Sequence, residues 1–124
     1  MVKSYTSIEQ SKQLLKILPI ESADMCFIAD SWLINIHEPF YNYKKIDKDD
    51  IPCWSLGALF DILPVGTESH KQSDDSISYY YVEVYNNKKC FSTKRYDNLV
   101  DACVEMILKL YELKIYDYDE KNKK

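Results

Sequence analysis

The chain has 124 residues, 46% of them hydrophobic and 29% charged, with 16 basic against 20 acidic side chains and a formal charge of −4. Those proportions suit one globular domain and exclude global disorder, collagen-like repeats and low-complexity scaffolds. No apolar run approaches the ~18 residues of a membrane span. With Arg95 its only arginine, the acidic chain lacks the basic surface on which duplex binding depends.

Thr6-Ser7-Ile8-Glu9 reads as a capping box, with Thr6 as N-cap and Glu9 at the third helical position. The stripe Ile8, Ser11, Leu14, Leu15 and Leu18 predicts a helix over 7–18, stopped by Pro19. Met25-Cys26-Phe27-Ile28 and Leu33-Ile34-Asn35-Ile36 flank the turn residues Asp30-Ser31 and predict a hairpin over 24–37. Residues 38–50, with Pro39 and a run of lysines and aspartates, predict a loop. Ser55 is a good N-cap, and Leu56, Leu59, Phe60 and Leu63 form one face of a short helix closed by Pro64. Gly57 inside that helix costs ~1 kcal/mol relative to alanine, which predicts a close contact there.

Residues 65–76 are polar, include Gly66 and Asp74-Asp75, and predict an exposed loop. From Ile77 to Tyr85 the chain alternates, with Ser78, Tyr80, Val82 and Val84 on one face and Ile77, Tyr79, Tyr81, Glu83 and Tyr85 on the other. Asn86-Asn87 predicts a hairpin turn and 90–94 its return strand. Asp97 is placed as N-cap of a helix over 98–114, with Val100, Cys103, Ile107 and Leu110 facing inward and Asp101, Glu105, Lys109 and Glu112 facing water. The charged tail 116–124 is expected to fray. The pattern predicts an α+β fold in the order α-ββ-α-ββ-α. Two hairpins would form one four-stranded antiparallel sheet with helices on one face, in a single domain over 1–115.

Composition removes most familiar chemistry. Two glycines, Gly57 and Gly66, cannot build a phosphate-cradling loop. His37 and His70 form no paired motif, and Cys26, Cys53, Cys90 and Cys103 have no C-x-x-C spacing, so neither a zinc module nor a disulfide framework is expected. Counted from Asp47, a calcium loop would need glycine and glutamate where Pro52 and Ala58 stand. No cofactor and no metal are expected. Met1-Val2-Lys3-Ser4-Tyr5 leads directly into polar sequence, so no signal peptide is read and a cytoplasmic protein with reduced thiols is expected.

Four candidate features remain. Cys53 stands just before a helix N-terminus, where the macrodipole favours a thiolate; with His37 or His70 as base it would be a nucleophile, and otherwise it packs beside Trp54. Asp101 and Glu105, one helical turn apart, form either an acid/base pair or a solvated helix face. Tyrosine is abundant, at 11 residues. Tyr79, Tyr81 and Tyr85 share a face that is either a docking surface or a stabilising aromatic ladder with Phe91. Lys88, Lys89, Lys94 and Arg95 add a positive end to that hairpin, which beside aromatics offers a weak single-strand nucleic-acid reading.

Two segments carry a resemblance. Ile51-Pro52-Cys53-Trp54-Ser55-Leu56-Gly57-Ala58-Leu59 through Leu63-Pro64, with Asp101-Ala102-Cys103-Val104-Glu105-Met106-Ile107, resembles small uncharacterised proteins of prophages and mobile elements in gut anaerobic bacteria. The likeness extends over about 7–113 and implies a mobile-element origin without an activity. The expectation is a non-catalytic interaction or accessory protein. It would bind an unknown protein partner, or a second copy, through Tyr79, Tyr81 and Tyr85 with Lys88 and Lys89. Nucleic acid and membrane are disfavoured as partners.

Overall fold

A computed structural model describes residues 3–27, 40–41 and 50–115. Helix α1 (Ile8–Leu15) is capped one residue later than its spacing predicts. The Ser7 hydroxyl accepts from Gln10 N at 3.1 Å, and the Gln10 side chain accepts from Ser7 N at 3.0 Å. Thr6 is freed for the interior, and the α-helix ends at Leu15 rather than 18 because Lys16, Ile17 and Leu18 close as a turn against Gln13 and Leu14. Strand β1 (Met25–Phe27) confirms the first strand of the predicted hairpin. Its expected partner over 33–36 lies outside the described residues. Instead β1 pairs antiparallel with β2 (Phe40–Tyr41) on one side and β3 (Ile51–Cys53) on the other.

Helix α2 (Leu56–Ile62) starts as predicted, with the Ser55 hydroxyl accepting from Ala58 N at 3.2 Å. Gly57 has no close neighbour, however: a Cβ there would meet only the Ser55 hydroxyl, at 3.8 Å. The main correction follows it. The predicted exposed loop over 65–76 contains strand β4 (Thr67–Asp74), which pairs antiparallel along its whole length with β5 (Ile77–Asn86). Every second side chain of β4 faces water as well as its neighbours, so polarity hid the strand; backbone pairing, not burial, makes it. Asp75 and Ser76 turn the chain with φ of 47° and 66°. Asn87 and Lys88, at 51° and 67°, do the same before β6 (Lys89–Ser92), one residue later than the Asn86-Asn87 turn predicted. Both are two-residue left-handed turns, whose twist matches that of the paired strands.

The expected single four-stranded sheet is therefore wrong. The described residues form two three-stranded antiparallel sheets, β2-β1-β3 and β4-β5-β6, within an α+β fold. Helix α3 (Leu99–Glu112) is capped by Asn98, not Asp97: the Asn98 side chain accepts from Asp101 N at 2.8 Å. Val100, Cys103, Ile107 and Leu110 face inward as predicted, and all are fully buried.

The main core joins α1, α2, α3 and the inner face of β5, around Leu14, Trp54, Leu59, Val82, Val84, Met106 and Leu110. Burying a side chain of this size contributes about 1.5–3 kcal/mol. A smaller cluster of Met25, Phe27 and Cys53 lies on the first sheet. Among the described residues no helix is long and apolar enough to cross a membrane.

Candidate functional site

Val82 and Val84 point into the core under α3, so the odd-numbered residues of β5 face outward. Register extends this face across three strands. Glu68 stands opposite Glu83 and His70 opposite Tyr81 on β4. Ser92 stands opposite Glu83 and Cys90 opposite Tyr85 on β6. Phe91 pairs with Val84 on the inner face and packs against the core, so it cannot ladder with the tyrosines as expected. The ring that meets Tyr81 is His70, stacked at 4.6 Å with an interplanar angle of 14°. Tyr79 and Tyr81 are half-buried and Tyr85 is exposed. Lys88 and Lys89 are exposed at the β5–β6 turn, where no described ion pair engages them.

The centre of this face is polar. His70 Nε2 lies 2.7 Å from Glu83 Oε1 and 3.7 Å from Glu68 Oε1. The shorter contact is not aligned as a hydrogen bond, and Nε2 is buried without a hydrogen-bond partner. Glu83 also accepts from the Ser92 hydroxyl at 3.0 Å, and the Cys90 thiol lies 3.6 Å from the same carboxylate. The Glu83 charge, with Cys90 beside it, pushes the Tyr85 phenol above its ordinary range. Glu68 and Glu83 face one another directly, a like-charge arrangement that costs stability. Among the described residues no lysine or arginine forms an ion pair with either. The sequence reading missed this trio. Glu68 and His70 alternate correctly for one strand face, but the signal is legible only once 67–74 is read as a strand.

Cys53 sits in the opposite setting. It is fully buried, donates toward Thr6 O at 3.4 Å, and receives the Thr6 hydroxyl at 3.5 Å. Burial pushes this thiol up, against the pull of its hydrogen bonds to Thr6 and Ser11. That is the reverse of an activated nucleophile. His70 stands on the other sheet, and His37 lies outside the described residues. Cys103, sealed in the core, is pushed up to about 12 by burial. Asp101 and Glu105 do not work as a pair. Asp101 accepts from Lys3, Gln10 and Asn98, at 2.8, 2.7 and 2.8 Å, while Glu105 accepts from the Tyr96 hydroxyl at 2.6 Å. Burial pushes the Asp101 carboxyl up, but the Lys3 ammonium and the Asn98 and Gln10 amides outweigh it and hold it below its ordinary value. Of Asp47, Asp49 and Asp50, only Asp50 falls among the described residues.

A groove of about 670 Å³ opens between the 18–24 turn and α2, lined by Glu21, Asp24, Ser55, Gly57 and Asp61. Both its serines are committed to structure: Asp24 accepts from the amide and the hydroxyl of Ser55, which in turn caps α2, and the Ser22 hydroxyl donates to Pro19 O and accepts from Trp54 Nε1. Neither a histidine nor a cysteine lines it.

The class the described residues define is a small α+β protein with two separate antiparallel sheets. Compared with protein-family models, curated proteins and solved structures, the chain matches none.

Proposed function

We propose that this chain is a non-catalytic binding protein that docks a partner protein, or a second copy of itself, on the outer face of β4-β5-β6. One observation carries the reading: Val82 and Val84 on one face of β5 are fully buried in the core with α3, whereas Tyr79 and Tyr81 on the opposite face are only half-buried and Tyr85 is exposed. Tyrosine suits such a surface, because it buries a large area at low entropy cost and keeps a polar tip. The net charge of −4 leaves little basic surface for phosphate, which favours a protein over a nucleic acid despite Lys88 and Lys89. The buried Cys53 and the divided Asp101 and Glu105 support a non-catalytic role. The likeness to mobile-element proteins fits an accessory role in a phage or mobile element and names no partner. Four unbridged cysteines suit a reducing, cytoplasmic setting.

The test is a variant with Tyr79, Tyr81 and Tyr85 all changed to serine. Light scattering of the purified chain reports self-association, and affinity capture from host cells reports a partner. The variant is expected to lose whichever association the wild type shows while keeping its circular dichroism; undiminished association in the folded variant removes this reading.

A further inference from the structure

We propose that Glu68, His70 and Glu83 form a binding site for one divalent transition-metal ion of the zinc class on the outer face of the second sheet. Three donor atoms, one from each residue, lie within 4.8 Å of one another. Two ligands each about 2.0–2.1 Å from a tetrahedral ion stand about 3.3 Å apart, and the spacings from His70 Nε2, 2.7 and 3.7 Å, bracket that value. The donors are also held in place. Glu68 and Glu83 are fixed opposite each other by the β4–β5 register, and His70 is one pleat along from Glu68. Stacking on Tyr81 fixes the imidazole plane, the kind of support that orients ligands in metal sites.

Two further facts point to a cation rather than to a hydrogen-bonded triad. His70 Nε2 is buried without an aligned partner. Two facing carboxylates lack any lysine or arginine among the described residues to balance them. A divalent ion satisfies the nitrogen and neutralises both acids at once. The imidazole selects zinc and its neighbours over magnesium or calcium, which prefer all-oxygen sets of six or more ligands. Three protein ligands leave a fourth position for water or an incoming side chain. The site does not depend on the docking reading: it is tested on the purified chain alone, and a failed tyrosine experiment leaves it standing.

The experiment is calorimetric titration of the full chain with zinc chloride in a non-chelating buffer, followed by the imidazole resonances in NMR. One saturable site is expected, with the His70 ring resonances moving and millimolar magnesium failing to compete. His70→Ala and Glu68→Gln should each weaken binding by at least about tenfold, whereas Cys90→Ser and His37→Ala should change it by less than about threefold. Circular dichroism confirms that each variant keeps its fold. No saturable site, a site that survives His70→Ala in the folded protein, or one lost with Cys90→Ser or His37→Ala overturns the proposal.

Discussion

Cys53 and Cys90 occupy edge strands of different sheets, β3 and β6, and their surroundings have nothing in common. Around Cys53 the chain closes on itself. Residues 4–6 run antiparallel beside 54–56, with Thr6 N donating to Trp54 O and Leu56 N to Ser4 O, each at 3.0 Å. The Thr6 hydroxyl pairs with Ser11 at 2.8 Å and accepts from Trp54 N at 3.1 Å. Even the carboxylate of this region, Asp24, is spent on Ser55. Around Cys90 the same group types lie on the face of the sheet opposite the core, where Glu68 and Glu83 face each other across His70 and no lysine or arginine among the described residues pairs with them. Polar residues buried with their partners hold a fold together; on the second sheet Glu83 has the Ser92 hydroxyl, but the His70 Nε2 beside it makes no aligned hydrogen bond.

Thiol chemistry should break the comparison most sharply if it is wrong. In the native protein Cys90 is expected to react with Ellman's reagent orders of magnitude faster than Cys53 and Cys103, which should react only as the protein unfolds. Rapid labelling of Cys53 near neutral pH would show that the first region is not sealed and would restore a reactive thiol there. Next in size is Thr6→Val, which keeps the shape but leaves Trp54 N and the Ser11 hydroxyl without their partner. Urea unfolding should show a loss of about 1–3 kcal/mol. A change near zero would mean that water already reaches this network. The smallest effect belongs to the open face. Without metal, Glu68→Gln removes a facing like-charge pair and should raise stability by a few tenths of a kcal/mol. A loss instead would mean that Glu68 has a stabilising partner, and that the second region is as self-satisfied as the first.

Much of this was legible in the residues. The apolar stripe of α3, the Ser55 cap and the Val82/Val84 face of β5 follow from periodicities that burial imposes directly. Caps were misplaced by one residue at Thr6 and Asp97 because neighbouring side chains compete for the same amides. Ser7 and Asn98 win once Thr6 turns inward and Asn98 reaches Asp101 N. The strand over 67–74 was illegible for a different reason. Thr67, Ser69 and Lys71 occupy its inner-face positions and Glu68, His70 and Gln72 its outer ones, so no apolar alternation marks it. Its identity comes from β5, whose amides and carbonyls it satisfies.

The sequence by itself determined which segments bury apolar faces, because helical and strand periods are local properties of the chain. It also holds only two glycines and no C-x-x-C spacing, so neither a phosphate-cradling glycine loop nor that cysteine motif is written in it. Only the tertiary structure decided that the strands divide into two sheets, that Cys53 is sealed while Cys90 is open, and that Glu68, His70 and Glu83 meet. Those outcomes depend on strand register and on which elements cover which face, and both arise from contacts between residues distant along the chain.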